Sequence, residues 1–205
     1  YNDKNIKVEY LIKYKNIIGG DLVWYNKVDK SKYLFLVLDI SGHDLTSAII
    51  LIDILMTVKD FENIYSIDKM LKIISKRIDF FNENIEIPRF LSTFIKLINI
   101  NKKKLNYINA SNLEGFIYNK EINDVESKYL TLGLNSNEDY KYSSISLKPN
   151  DNLCIYTDGI LFLENKNFKV KKSINNSIIK SVKDELKFHD ELKDDLSIIN
   201  IHIKN

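Results

Sequence analysis

The chain opens on an alternation of apolar and polar positions, "IKVEYLIKYKNII" over residues 6–18. The glycine pair at 19–20 stops it, which predicts a strand that ends at a turn. Residues 32–40, "KYLFLVLDI", are apolar almost without a break, the pattern of a central strand covered on both faces. At Leu45 the period changes. Apolar residues at 45, 48, 49, 52, 55 and 56 predict a helix, and Asp44 is placed to cap its N-terminus. Ile67, Met70, Leu71, Ile74, Ile78 and Phe81 predict a second helix with Ser66 as its cap. After Pro88 the texture turns to short β-rich runs between polar turns: "FLSTFIKLINI", "KLNYINAS", "EGFIYNK", "SSISLKP" and "DNLCIYTDGI". One more helix fits residues 173–187, and "LSIINIHIK" closes the chain as a strand. Two early helices, a block of strands and a late helix and strand predict an α+β fold of packed sheet and helix layers.

Composition narrows this picture without redirecting it. With 205 residues and 44% hydrophobic content, and with no internal repeat or linker, residues 1–205 read as one domain. The 30 Lys+Arg against 28 Asp+Glu leave a formal charge of +2 and no basic stripe, so the expectation is no nucleic-acid and no membrane contact by this domain. No stretch approaches the roughly 20 apolar residues that span a bilayer. There is no signal peptide and no initiating Met, which points to the C-terminal part of a longer chain. Cys154 lies inside an apolar run, where a buried strand cysteine outweighs a nucleophile, and a reducing, cytoplasmic setting fits it.

The acids divide by position. Most lie on helix faces or in loops, where solvation accounts for them. Asp21 follows "IIGG"; Asp39 ends "LFLVLD"; Asp158 ends "CIYTD" before Gly159; Asp194 and Asp195 precede the last strand. Each stands at the edge of a buried run, where an unpaired carboxylate is costly to desolvate. Gathered together they would need positive charge, and an oxygen-only set suits Mg²⁺ or Mn²⁺ rather than zinc or copper. Four unrelated turn-capping aspartates are the plainer alternative.

"IIGGD" (17–21), "LVLDISGHD" (36–44), "LNYINAS" (105–111), "LKPNDNLCIYTDGI" (147–160) and "DDLSII" (194–199) occur in this order. Together they resemble the SpoIIE-like branch of the PPM family, the metal-dependent serine/threonine phosphatases of protein phosphatase 2C type, over about residues 6–203. The resemblance implies a layered α-β-β-α sandwich of mostly antiparallel sheets flanked by helices. It implies two divalent cations, Mn²⁺ or Mg²⁺, held by Asp21, Asp39, the Ile40 backbone carbonyl, Asp158 and Asp194, with Gly20, Gly159, Asp195 and Asp44 behind them. It also implies hydrolysis of phosphoserine or phosphothreonine by water activated between the ions, so those four aspartates are the catalytic set. His43, four positions after Asp39, is either the acid for the leaving group or a turn histidine. The implied substrate is a phosphorylated regulatory protein such as an anti-sigma-factor antagonist. An upstream sensory domain and a homodimer belong to the same expectation, as does a cytoplasmic location, either free or beneath a membrane-anchored sensor.

Four features depart from the family pattern. Asp44 replaces the usual Gly after His43, as a helix cap or as an extra acid tuning the site. Trp24 stands where a second acid is common, "ASN" at 110–112 replaces Ala-Gly-His, and the stretch between "TDG" and "DD" is short. They motivate the alternative of a pseudophosphatase, a signalling module with little or no turnover. The helices at 45–58 and 67–81 are candidate switch elements, because the first grows out of the Asp39 turn.

Overall fold

Strict alternation along one strand sets the architecture. In β3 (Lys32–Ile40), Leu34, Leu36, Leu38 and Ile40 face one way and Tyr33, Phe35 and Val37 the other, all of them buried. A strand apolar on both faces needs a layer on each side, and it has both. This computed structural model describes residues 1–61, 66–111, 113–134, 138–165, 168–174 and 177–204.

β3 is central in a sheet ordered β2-β3-β4-β5-β8, with β2 Asp21–Lys27, β4 Leu91–Asn99, β5 Lys104–Ala110 and β8 Ser143–Ser146. The second sheet runs β1-β10-β9-β6-β7, with β1 Ile6–Lys13, β6 Glu114–Tyr118, β7 Ile122–Asp124, β9 Asn152–Tyr156 and β10 Leu196–Ile203. Every pairing in both sheets is antiparallel. Tyr33, Phe35, Val37, Phe94 and Ile98 of one sheet pack against Ile6, Val8, Leu153, Ile155 and Ile199 of the other. Helices α1 (Leu45–Lys59) and α2 (Ile67–Asn82) cover the outer face of the first sheet, and α3 (Ile178–Glu185) that of the second. The layers are therefore α-β-β-α, as the resemblance implies. No helix among the described residues is long and apolar enough to cross a membrane.

One lysine breaks the apolar rule between the sheets. Lys96 of β4 lies on the same face as Phe94 and Ile98 and is fully buried. Its Nζ has no hydrogen-bond partner among the described residues and stands 4.6 Å from the Phe94 ring centre. Burial holds its amine well below the usual lysine range. Cys154, also fully buried, packs on the α3 side, and burial raises its thiol, which suits a packing residue and not a nucleophile.

Several elements differ from the sequence reading. The first strand ends at Lys13, not at residue 18, and Asp21 opens a strand of its own, β2, which the pattern did not announce. "DNLCIYTDGI" stops as a strand at Tyr156, and Asp158–Phe162 form a 3₁₀ turn. The helix expected over 173–187 begins at Ile178, capped by Ser177, and residues 175–176 lie outside the described residues. Ser66 sits at the N-cap of α2 but makes no cap bond; its hydroxyl donates to Asp68 instead (3.3 Å). Helix α1 buries Ser47, Ile50, Leu51, Ile54 and Val58, whereas Leu45, Ile49, Ile52 and Met56 of the expected face are exposed.

Candidate functional site

The register of β2 on β3 sets Asp21 directly opposite Asp39. Alternation places both on the side facing the other sheet, since Val37 of β3 and Val23 of β2 pack into the inter-sheet core. The other sheet supplies its own acids at the same end: Asp158 just beyond β9, and Asp194 and Asp195 just before β10. Four strand ends from two sheets thus meet at one end of the sandwich.

The hydrogen bonds sort these acids by role. Asp195 is buried and faces backbone: its two oxygens accept from Lys15 N (2.8 Å) and Gly20 N (2.5 Å). Thr157 Oγ1 donates to Asp21 Oδ2 (2.8 Å) and accepts from Ser197 N (2.9 Å), tying Asp21 to the opposite sheet. Asp194 Oδ1 accepts from Asp195 N (2.9 Å). Gly20 O accepts from Ile40 N (2.9 Å), and a Cβ at Gly20 would lie 2.6 Å from Ile40 O. At Gly159 a Cβ would lie 1.9 Å from the Asp195 carbonyl oxygen. Both positions therefore need glycine for a close approach of backbones.

Burial first, then the charges of Asp21, Asp158, Asp194 and Asp195, pushes the Asp39 carboxyl up. Burial likewise raises Asp21, reinforced by Asp195 and Asp158, and raises Asp158, reinforced by Asp194. Among the described residues none of the five acids has an ion pair with a lysine, arginine or histidine. Nor do three Asp, Glu, His or Cys side chains among them already enclose a point where an ion would sit. The structure thus brings Asp21, Asp39, Asp158 and Asp194 into one electrostatic neighbourhood, with no ion pair to them among the described residues.

The turn after Asp39 holds the remaining candidates. Asp44 is the N-cap of α1: Oδ1 accepts from Ser47 N (2.9 Å), and Oδ2 meets Arg89 Nη2 (2.5 Å). The hydrogen bond at Ser47 leads in lowering its carboxyl, and Arg89 adds to it. The His43 ring makes no hydrogen bond with a described residue; its carbonyl accepts from Asn16 Nδ2 (3.3 Å). His43, Asp44 and Leu45 line an open depression with Lys15, Asn16, Ile17 and Ile18. Arg89 and Thr157 escaped the sequence reading. Thr157 lies inside the quoted "YTDG", but nothing local to Arg89 advertises partners so far back in the chain.

Residues 29–204 match the family described as Stage II sporulation protein E (SpoIIE). The chain belongs to the SpoIIE family. Among curated proteins it is similar to the phosphoserine phosphatase RsbP of Bacillus subtilis, 24% identical over 165 residues that cover 78% of this chain and 40% of RsbP. The SpoIIE-family chain spans well under half the length of the curated relatives it matches. Its fold is that of the SiaA-PP2C domain of Pseudomonas aeruginosa, with a TM-score of 0.77 at 14% identity over 95% of this chain and 85% of that one. RsbX, solved in complex with magnesium, gives a TM-score of 0.71 at 18% identity over 100% of this chain and 98% of its own.

Proposed function

We propose that this chain is a metal-dependent phosphoprotein phosphatase domain acting on phosphoserine or phosphothreonine of a regulatory protein, an anti-sigma-factor antagonist being the example to which the family resemblance points. The pairing of Asp21 with Asp39, at the end of the sandwich where Asp158 and Asp194 also arrive, carries this reading. Like charges directly opposed across a ladder destabilise it, and burial adds to the cost. A divalent cation reverses both effects, and an oxygen-only donor set matches Mg²⁺ or Mn²⁺. The kinship with phosphoserine phosphatases and a fold shared with a magnesium complex support the same assignment.

Asp21, Asp39, Asp158, Asp194 and the Ile40 carbonyl would hold two such cations. Bound there, they would supply Lewis-acid polarisation of phosphoryl oxygens and acidify water. The chain's own residues prepare the place. Thr157 fixes one oxygen of Asp21 and leaves the other to a ligand. Asp195 spends both oxygens on the backbone around Gly20, so it supports the site without facing a substrate. Since the carboxylates do not yet enclose an ion, binding would draw them together by side-chain rotation.

Asp39→Ala and Asp158→Ala should each reduce Mn²⁺-dependent phosphate release from a phosphoserine peptide to background; undiminished turnover in either would overturn the assignment. Trp24, Asp44 and the missing Ala-Gly-His motif support a second reading, a signalling module without turnover. Calorimetric titration of the wild type with Mn²⁺ separates the two, because a module with no affinity for the ion cannot do this chemistry.

A further inference from the structure

The turn between Asp39 and α1 is clamped by the segment leading into β4. Ser41 N donates to Phe90 O (2.8 Å), Phe90 N to Ser41 Oγ (2.9 Å), and Arg89 Nη1 to Ser41 O (3.1 Å). Arg89 Nη2 completes the clamp on Asp44 (2.5 Å). The arginine is itself anchored, since Asn82 at the end of α2 accepts from its backbone N (2.8 Å) and donates to its carbonyl (2.9 Å). Its side chain is only 13% exposed, and Nε is buried without a hydrogen-bond partner among the described residues. An unsatisfied buried donor costs stability, so the two Nη contacts determine where the guanidinium sits.

Packing transmits that placement to the acids. Gly42 has φ 93°, a conformation that favours glycine, and a Cβ there would lie 2.2 Å from Arg89 Nη1. On the other side of the turn, a Cβ at Gly20 would lie 2.5 Å from Gly42 O and 2.6 Å from Ile40 O. Guanidinium, turn and Gly20 are stacked without slack, and Gly20 immediately precedes Asp21.

We propose that Arg89 is a positioning residue for cation binding: bridging Ser41 and Asp44, it presses the Ser41–Gly42 turn onto Gly20 and so sets the spacing of Asp21, Asp39 and the Ile40 carbonyl. The inference rests on the phosphatase reading above. It gives the Asp44 that replaces the family's usual Gly a task shared with Arg89. Outer partners of this kind typically govern metal affinity by about 10–100-fold.

The test is titration of the 205-residue chain with MnCl₂ by calorimetry, with urea unfolding in parallel. Arg89→Ala should bind Mn²⁺ at least about tenfold more weakly than the wild type. Arg77→Ala, which breaks a different arginine–aspartate pair between α2 and α1, should keep wild-type affinity even where its stability loss is similar. Should Arg89→Ala fail to fold, Arg89→Lys is read in its place, because an ammonium cannot reproduce the forked contact with Ser41 and Asp44. Wild-type affinity in the Arg89 variant overturns this inference alone. An equal loss in Arg77→Ala also overturns it, by making the effect one of general stability. A wild type that binds no Mn²⁺ overturns the phosphatase reading, and this inference falls with it.

Discussion

At Asp44 one carboxylate serves two partners, Ser47 through Oδ1 and Arg89 through Oδ2. Of the two roles the sequence left open for it, the cap is present in the geometry, and an ion pair accompanies it. Lys96 is the opposite case, a buried amine with no hydrogen-bond partner among the described residues. Replacing it by Met removes an unsatisfied buried donor and keeps most of the volume, so Lys96→Met should gain about 1–3 kcal/mol of unfolding free energy at neutral pH. The sign with pH follows from its depressed pKa: the unfolded chain binds a proton that the folded chain does not, so wild-type stability rises with pH toward about 10.4. Urea unfolding from neutral to alkaline pH should show a flatter slope for the variant; an unchanged slope and midpoint would refute the account. The acids at the site were legible one by one, since each stands at the end of a buried run beside a turn. Arg89 was not, because its contacts lie 45 and 48 residues back along the chain and only the folded turn unites them.

Helices α1 and α2 differ in how far their pattern defines a face. α2 has a sharp apolar stripe: of the residues the spacing names it buries Ile67, Met70, Leu71, Ile74 and Ile78, leaves Phe81 half-buried, and buries Ser75 besides. α1 is apolar nearly all round, so a period of 3.6 fits more than one face and the pattern cannot choose between them. The sheet chooses Ile50, Leu51, Ile54 and Val58, leaving Leu45, Ile49, Ile52 and Met56 as an exposed row at 4-3-4 spacing. Truncation measures the difference. Ile54→Ala, at a fully buried position, should cost about 2–5 kcal/mol. Ile52→Ala, 59% exposed, should change stability by less than about 0.5 kcal/mol. Comparable losses would mean that the exposed row is covered in solution. β2 escaped the pattern for a related reason: after Asp21 its residues are half-buried and give no clean alternation. Only pairing with β3 makes it a strand, and only that pairing sets Asp21 against Asp39.

At the scale of the molecule the sheets are joined by polar links at both ends of the sandwich. Thr157–Asp21 and Asp195–Gly20 join them at the carboxylate end. At the far end Asp3 accepts from Lys27 Nζ (2.6 Å) and Tyr33 OH (2.6 Å), joining the approach to β1 with β2 and β3. Burial alone would raise the Asp3 carboxyl, but these donors and the Asn5 and Ile6 amides overcome it and hold it far below the usual range. Its folded pKa therefore lies under the unfolded one. The contribution is fully present above about pH 4 and is lost as pH falls toward the folded value. The stability gap between wild type and Asp3→Asn should be wide at neutral pH and shrink by about pH 2–3 in urea titrations; a constant gap would contradict this.

The antiparallel pairing of β1 with β10 reaches further than sheet stability. Tyr1 folds back along β1, its N donating to Val8 O (3.0 Å), while Ile6 lies opposite Ile203 and Lys204 N donates to Asn5 O (2.8 Å), so residues 5 and 204 lie side by side. They do so at the Asp3 end, with the 8 residues of β10, about 25 Å of strand, separating them from the acids. In mechanical terms, a pull on residue 5 or residue 204 is borne by the paired β1 and β10 of one sheet, remote from the carboxylates. A signal arriving there would have to run lengthwise along β1 or β10 to Lys13 or Leu196, where the backbone meets Asp195 and, through it, Gly20.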